Sequence, residues 1–340
     1  MKKEIETNIL SIRMESGAAK DIAKGVGKFT VFTMDIPWKV TKDILGASPE
    51  KVVMVESVDE KWLDDQIEAM PECDTVIGIG GGQAVDAAKY MSWKRGIRLV
   101  SIPTILSVDA FVTSAAGIRR DHIVVYVGES YPNPLVIDFD VIRTAPPALN
   151  IAGIGDLLSA HTATFDWEYA QSQGKSEYPF SQDNIDTTRE IVKNLETLLS
   201  EIKENKDEGL RAIVDGYMKL NTICLPAGHW RVEEGSEHYL FYELEERLKR
   251  PFIHGNIIGL GIYILSRLQN NEPERITKII DEVGLQYQPK TLDIKKEDLK
   301  ASLLNLKKFV KRRDALWFTI IDDTDITEAW VDKVLDGLEF

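Results

Sequence analysis

The stretch Thr75-Val-Ile-Gly-Ile-Gly-Gly-Gly-Gln-Ala-Val-Asp-Ala-Ala-Lys89 decides the fold. Its apolar start leads into three consecutive glycines, Gly80, Gly81 and Gly82, and a helical pattern with small residues on one face follows. Consecutive glycines at a strand-to-helix turn let the backbone approach a ligand closely, and the free N–H groups of the first helical turn then point at a phosphate. The stretch therefore predicts the strand–turn–helix unit of a dinucleotide site. An unliganded tight turn is the alternative, because the GxGxxG spacing is not met.

Short β-branched runs alternate with helical patterns on both sides of this stretch. The predicted strands are Phe29–Thr33, Val52–Glu56, Thr75–Ile79, Leu99–Ile102 and Ile123–Val127, with helical segments such as Trp38–Leu45 and Trp62–Met70 between them. Strand–helix alternation at this pitch predicts βαβ units and a parallel sheet. The stretch Asp121–Asp138 differs, because two apolar runs flank Gly128–Pro134, and this pattern predicts a hairpin.

From about Leu149 onward the apolar residues recur with helical spacing. The predicted helices are Gly155–Ala170, Asn184–Glu204, Leu210–Cys224, Glu237–Leu248, Asn256–Gln269, Glu272–Val283, Lys296–Val310 and Ile326–Leu338. The sequence thus predicts an α/β, Rossmann-like domain with a parallel sheet over residues 1–150, followed by an all-α domain over residues 151–340. The boundary between them falls near Pro146–Gly153.

Composition excludes several classes of protein. The 340 residues contain 41 Lys and Arg against 55 Asp and Glu, a net charge of −14 that would repel a nucleic acid. The most apolar run, Ile257–Leu265, is far shorter than the about 20 residues that cross a bilayer, so we expect no membrane span. Cys73 and Cys224 are too few for a disulfide framework, and the acidic start MKKEIETNIL lacks a signal-peptide core. We expect a cytoplasmic protein.

Charged residues near the glycine turn are candidates for contacts with the same ligand. Asp35 follows a predicted strand, where a carboxylate could accept hydrogen bonds from a ribose diol; a helix cap or a solvated turn is the alternative. Asp86 and Lys89 lie three residues apart on the helix after the glycines. They are either an exposed ion pair of little consequence or, with Lys89 facing the turn, a group that offsets pyrophosphate charge.

A second set of candidates consists of metal-ligating residues at predicted helix starts. Asp156 lies in Gly153-Ile-Gly-Asp, His238 in Gly235-Ser-Glu-His, and His254 in Pro251-Phe-Ile-His. One carboxylate and two imidazoles brought together would make a three-ligand metal site with an open position, as a catalytic zinc requires. A single histidine at a helix start is more often a capping or core group than a metal ligand.

These motifs together resemble the superfamily of metal-dependent polyol dehydrogenases. That superfamily includes the iron-containing alcohol dehydrogenases, glycerol dehydrogenase and sn-glycerol-1-phosphate dehydrogenase, with 3-dehydroquinate synthase more distant. The residues that carry the resemblance are Gly80–Lys89, Ser101–Asp109, Gly155–Ser159, Asp166-Trp167, Gly235–His238 and His254-Gly255. The blocks Gly155–Ser159, Ala163–Trp167 and Gly235–His238 are most similar to the glycerol-1-phosphate dehydrogenase branch.

The resemblance implies a dehydroquinate synthase-like fold that binds NAD or NADP in its first domain. It also implies one divalent metal, zinc in preference to iron, held by Asp156, His238 and His254, and it adds Asp109 as a catalytic residue that contacts substrate hydroxyls. The implied cofactor-binding residues Thr104, Ser107 and Thr113 join Asp35, Gly80, Gly81, Gly82 and Asp86. The expected partner is a small polyol or polyol phosphate, and the expected assembly is a homo-oligomer.

Alternatives within and outside this class stay open. The glycerol-1-phosphate branch usually has His where this chain has Val108, and Val108 with Phe111 makes this wall more apolar. Reduction of dihydroxyacetone phosphate and oxidation of glycerol or another free alcohol are therefore both kept. A 3-dehydroquinate synthase-like lyase and a non-catalytic nucleotide- or metal-binding protein are further alternatives. The candidate proton relay is Asp109 or His161.

Overall fold

A computed structural model describes residues 9–120, 123–313 and 315–340 of the chain. The chain divides into two compact units, Met1–Asn150 and Ile151–Phe340. The first combines a parallel sheet with helices and the second is helical, so the predicted fold class is confirmed. Nowhere in the described ranges is a helix both long and apolar enough to span a membrane.

The first unit is built on a parallel sheet. Its eight described strands are β1 (Ile12–Glu15), β2 (Phe29–Thr33), β3 (Lys51–Met54), β4 (Thr75–Gly80), β5 (Arg98–Pro103), β6 (Ala116–Arg120), β7 (Ile123–Val127) and β8 (Pro132–Asp138). Six of them form the sheet in the order β1-β8-β5-β4-β2-β3, with every described pair parallel. Its helices are α1 (Asp35–Thr41), α2 (Glu60–Glu68), α3 (Gly82–Arg95) and α4 (Phe139–Ile142), with a short 3-10 helix at Asp109–Phe111.

Apolar residues cover both faces of this sheet, which is why its strands read as continuous hydrophobic runs. All six residues of β4 are buried. Successive side chains of a strand point to opposite faces, so Val76 joins the core on one face and Ile77 joins the core on the other. Four predicted strands are confirmed here, with ends shifted by at most two residues.

The strand order creates a switch point beside β4. The connection from β2 leads to β3 at one edge of the sheet, whereas the connection from β4 leads to β5 in the opposite direction. In open α/β sheets, ligands bind at the carboxyl ends of the strands where the order reverses. Because Thr33 pairs with Ile79, the residues that follow these two strands emerge side by side.

The predicted hairpin was wrong in its pairing. β7 pairs antiparallel with β6, which precedes it, whereas β8 lies in the main sheet between β1 and β5. Asp121 and His122, which come between β6 and β7 in the sequence, lie outside the described residues. β6 was missed because Gly117, Arg119 and Arg120 interrupt its apolar pattern, although Ile118 pairs with Val125.

The second unit is helical throughout the described residues. Its helices are α5 (Pro147–Leu158, which spans the division), α6 (Ala160–Ser172), α7 (Gln182–Glu196), α8 (Leu199–Lys203), α9 (Asp207–Ala227), α10 (Ser236–Leu248), α11 (His254–Gln269), α12 (Pro273–Val283), α13 (Lys296–Lys311), α14 (Ile320–Asp323) and α15 (Glu328–Leu335). The helix predicted over Gly155–Ala170 is instead broken at Ser159. The Ser159 hydroxyl lies 2.6 Å from the Asp156 carbonyl oxygen and 2.5 Å from that of Glu233. Asn184–Glu204 likewise divides into α7 and α8.

Candidate metal centre

Three side chains from three helices converge in the second unit. Asp156 lies near the end of α5, His238 is the third residue of α10, and His254 is the first residue of α11. Asp156 Oδ1 is 3.0 Å from His254 Nε2 and 3.6 Å from His238 Nε2, and the two nitrogens are 3.3 Å apart. The convergence predicted from the sequence is therefore present, and within the described residues it is the one such group of His, Cys, Asp and Glu.

The geometry fits a divalent metal. With metal–ligand distances of about 2.1 Å, a tetrahedral centre places its ligand atoms about 3.4 Å apart. The observed separations of 3.0, 3.3 and 3.6 Å bracket that value. A carboxylate oxygen and two imidazole nitrogens are ligands that zinc and iron both accept, and a fourth position would stay open for water or substrate.

Two glycines bring the candidate metal ligands together. A Cβ atom on Gly155 of α5 would lie 2.0 Å from the Gly255 carbonyl oxygen, and one on Gly255 of α11 would lie 1.6 Å from the Ala152 carbonyl oxygen. No side chain tolerates contacts this short, so α5 and α11 cross with their backbones touching. Asp156 and His254 flank this crossing, and the close approach brings them into bonding range.

Burial and mutual charge shape the titration of the triad. Asp156 and His238 are buried, whereas the His254 side chain is 19% exposed. Burial alone would raise the pKa of Asp156, but His254 and His238 outweigh it and hold that pKa well below its usual range. Burial alone would lower the pKa of His238, but hydrogen bonds to Asp156 and Glu237 raise it well above its usual value.

Sequence reasoning missed or set aside several residues around the triad. The Tyr217 hydroxyl of α9 lies 2.8 Å from the Gly153 carbonyl oxygen and 3.4 Å from Asp156 Oδ2. The Phe241 ring meets the His254 ring edge-on at 5.0 Å between centroids. Tyr242 hydrogen-bonds to Glu234 and lies beside His238. These residues lie one helical turn or one helix away from a candidate metal ligand, and no sequence pattern indicates that proximity.

The glycine turn of the first unit connects β4 to α3 as predicted. Gly80 has φ +150°, which favours glycine, and a Cβ there would lie 2.7 Å from Ala84 Cβ. Cβ atoms on Gly81 and Gly82 would lie 2.7 Å from Ile105 and 2.9 Å from Val108. Gly81 is the N-cap of α3 and provides no side-chain hydrogen bond, which leaves this helix start available to an anion.

Asp35 follows β2 at the switch point. It is the first residue of α1 but not its N-cap, which is Met34, and its exposed carboxylate pairs with Lys39 at 2.5 Å. A Cβ on Gly80 would lie 3.8 Å from Pro37 Cγ, so the first turn of α1 lies beside the glycine turn. The helix-cap alternative for Asp35 is therefore wrong, and the ribose contact stays a prediction.

The environment of the Asp86–Lys89 pair differs from both of those that the sequence analysis considered. Lys89 is buried, and its ammonium lies 2.9 Å from Asp86, 2.5 Å from the Ala115 carbonyl oxygen and 3.2 Å from the Thr113 hydroxyl. Burial raises the pKa of Asp86 despite this ammonium. Lys89 thus anchors residues 113–115 to α3.

The remaining predicted site residues lie in the segment after β5 or on α6. Thr104 and Ser107 are buried, and the Thr104 N–H donates to the Gly80 carbonyl oxygen at 2.9 Å. Asp109 begins the 3-10 helix. His161 Nε2 lies 2.8 Å from the Asn271 carbonyl oxygen, and burial lowers the pKa of His161. This environment favours the core role of His161 over the proton relay.

Comparisons with known proteins find similar sequences and similar folds. A family model described as iron-containing alcohol dehydrogenase matches residues 40–146. A protein of Pyrococcus horikoshii named glycerol-1-phosphate dehydrogenase (NAD(P)+) is 29% identical over 259 residues, 72% of this chain and 73% of that protein. One of the same name from Methanosphaera stadtmanae is 26% identical, over 83% of this chain and 79% of that protein.

A solved structure of similar fold is glycerol dehydrogenase from Schizosaccharomyces pombe, with a TM-score of 0.75 and 20% identity. The alignment covers 99% of this chain and 93% of that one. Fold and site thus define a dehydrogenase with a glycine turn in an α/β unit and a triad of metal-binding type in a helical unit. These similarities confirm the resemblance to the iron-containing alcohol dehydrogenase superfamily.

Proposed function

We propose that the protein is a metal-dependent, NAD(P)-linked dehydrogenase that interconverts dihydroxyacetone phosphate and sn-glycerol-1-phosphate. The convergence of Asp156, His238 and His254 carries this proposal, because one carboxylate and two imidazoles are the ligand set of an open catalytic metal site. The names of the relatives from P. horikoshii and M. stadtmanae support both the substrate and the use of NAD(P).

The protein's own residues would have distinct tasks in this reaction. Asp156, His238 and His254 would hold the metal, zinc in preference to iron, and leave a net charge of +1 at the centre. When bound, such a metal is a Lewis acid that polarises a carbonyl or acidifies an alcohol, while the nicotinamide carries the hydride. Tyr217 would restrain the second carboxylate oxygen of Asp156. Asp109 would contact the substrate hydroxyls.

The glycine turn and its neighbours would bind the cofactor. The start of α3 at Gly82 would accept the pyrophosphate, and Asp35 would accept hydrogen bonds from the ribose diol. The segment with Thr104, Ser107 and Thr113 continues from β5, the strand next to β4, and would line the same ligand. The contacts of Asp86 with Lys89 give it an indirect role, through the anchored segment 113–115.

Oxidation of a free polyol such as glycerol is the second candidate. Val108 lies against Gly82 of the glycine turn, and Phe111 is buried in the same segment. These apolar side chains suit an uncharged substrate better than a phosphate. The lyase alternative would need free cations, but Arg250 donates to the carbonyl oxygens of Leu292 and Asp293.

A substrate panel tests the proposal. Glycerol, glycerol-1-phosphate and glycerol-3-phosphate are each offered with NAD+ and with NADP+, and dihydroxyacetone phosphate is offered with the reduced cofactors, all with added zinc. Of the three alcohols, only glycerol-1-phosphate is expected to cause accumulation of reduced cofactor. Turnover of glycerol without turnover of either phosphate would establish the second candidate, and a lyase would accumulate no reduced cofactor.

Replacing His254 by Ala tests the metal centre directly. The variant should lose bound metal and turnover but keep its affinity for the nucleotide, because the glycine turn belongs to the first unit. Metal content by elemental analysis and nucleotide affinity by isothermal titration measure the two effects. His161→Gln, which alters a histidine of the same unit outside the triad, is the matched control. Full activity of a metal-free His254→Ala protein would contradict this mechanism.

A further inference from the structure

A fully buried carboxylate lies directly behind one of the metal-binding residues. Glu237 precedes His238 in α10 and is 0% exposed. Its Oε1 atom accepts a hydrogen bond from the Gly235 N–H at 2.7 Å and lies 2.8 Å from His238 Nδ1. Its Oε2 atom accepts one from the Thr162 hydroxyl at 2.6 Å. Both oxygens therefore have fixed partners on two helices.

This arrangement sets the tautomer of His238. A carboxylate only accepts hydrogen bonds, so the contact with Glu237 requires the proton of the neutral imidazole to be on Nδ1. The lone pair is then on Nε2, the atom that faces Asp156 at 3.6 Å and His254 at 3.3 Å. We infer that Glu237 is a positioning residue that holds the ring and the tautomer of His238 for the metal. This inference rests on the metal centre of the proposed function.

The position of Glu237 is itself determined by helix packing. A Cβ atom on Gly261 of α11 would lie 2.7 Å from the Glu237 carbonyl oxygen and 3.0 Å from its Cβ, so glycine lets α11 approach α10 here. Glu237 and Asp166, which accepts a hydrogen bond from the Ser236 N–H at 2.8 Å, both lie at the N-terminus of α10. The positive end of the helix dipole favours anions at this place.

The two histidines of the triad are consequently not equivalent. His238 is buried and held from behind by a carboxylate. His254 is partly exposed, packs its ring edge against Phe241, and makes its polar contacts through Nε2. In the described part of the chain, no carboxylate holds its Nδ1 atom. His238 is thus the anchored ligand of the pair.

Zinc affinity of two Glu237 variants tests the inference. A carboxylate behind a ligating histidine is worth about 10- to 100-fold in metal affinity, so Glu237→Ala should bind Zn2+ weaker by that factor. Glu237→Gln keeps an oxygen that can accept a hydrogen bond from Nδ1–H of His238. The new side-chain NH2 group then takes the place of Oε2, and it can donate to the Thr162 hydroxyl, because that hydroxyl can donate to the Ser159 carbonyl oxygen, 3.0 Å away, instead. This variant should lose less affinity than Glu237→Ala. Competition with a chromogenic zinc chelator measures the dissociation constants.

Glu243→Gln is the matched control, because Glu243 is a buried carboxylate on the same helix that binds Arg247 and Asn305 instead of a histidine. It should keep the zinc affinity of the natural protein even where its melting temperature falls. The 15N chemical shifts of His238 in the metal-free protein, recorded at a pH high enough for the ring to be neutral, report the tautomer, with a protonated Nδ1 expected and lost in Glu237→Ala.

The outcomes separate this inference from the function on which it rests. A natural protein that does not bind zinc or iron would overturn both. If the natural protein binds zinc and Glu237→Ala binds it with the same affinity, the inference alone is overturned. Equal losses of affinity in Glu237→Ala and Glu243→Gln would also overturn it, because they would reflect general destabilisation of α10.

Discussion

Replacing Gly255 by Ala should separate α5 from α11 and disassemble the metal centre. The new Cβ would lie 1.6 Å from the Ala152 carbonyl oxygen and 2.5 Å from its carbonyl carbon. An ordinary carbon–oxygen contact is about 3.3 Å, so the two backbones must part by about 1.7 Å at this point. Both atoms that the Cβ meets belong to the backbone of a buried helix, and neither can rotate away.

The displacement acts on the adjacent candidate metal ligands. His254 precedes Gly255, and Asp156 lies one turn of α5 beyond Ala152, so their 3.0 Å contact should lengthen to roughly 4.5 Å. Metal–ligand distances tolerate only about 0.2 Å, and the affinity for Zn2+ should therefore fall by roughly a hundredfold or more. Overpacking of this kind also costs about 1–3 kcal/mol of folding free energy.

Gly259→Ala is the matched control. It lies one turn further along α11, where the new Cβ would meet the Leu285 side chain at 2.5 Å and not the backbone of α5. A similar loss of stability is expected, but with zinc affinity preserved. Chelator competition and urea unfolding, measured on both variants, separate the two effects. A Gly255→Ala protein that binds zinc as tightly as the natural one would refute the assignment of Gly255 as the contact that brings α5 and α11 into range.

Two further predictions concern buried charges. Burial and the neighbouring Glu237 carboxylate raise the pKa of Asp166 to about 6. Because this pKa lies above the unfolded value, the contribution of Asp166 to stability is complete below about pH 4 and falls by about 3 kcal/mol as the pH rises through about 6. Urea unfolding in EDTA should show this pH dependence in the natural protein and not in Asp166→Asn; parallel curves would contradict it. Lys89→Met should leave Asp86 buried without its ammonium and release Thr113, at a cost of about 3–5 kcal/mol measured by urea unfolding. A melting temperature within a degree of the natural protein would show that Lys89 is dispensable.

The part of the fold that could be predicted is the part with local signals. The run from Thr75 into Gly80–Gly82 carries its own strand, turn and helix patterns, because β4 is buried on both faces and the turn needs a glycine at φ +150°. β1 lacks such a signal, because it has four mostly exposed residues at the sheet edge and is stabilised by pairing with β8. Strand pairing is a long-range property, which also explains the wrong partner chosen for β7.

The candidate metal centre was predictable only through the family resemblance. Asp156 and His254 lie far apart in the sequence, and nothing in the pattern of either segment specifies the other. What joins them is the crossing of α5 and α11 at Gly155 and Gly255. A glycine within a helical pattern lowers the predicted helix propensity. It does not reveal which other helix packs against it.

The segment Gly235-Ser-Glu-His shows why a local interpretation of a site stays incomplete. An acidic residue at a helix start is explained by the helix dipole alone, and Glu237 does accept a hydrogen bond from the Gly235 N–H. The same carboxylate also faces Nδ1 of His238, and the Thr162 hydroxyl occupies its second oxygen. Since a cap needs only one of these oxygens, the capping function leaves the other contacts unexplained. Holding a metal ligand accounts for all of them, and it requires helix α6, which no pattern within residues 235–238 could indicate.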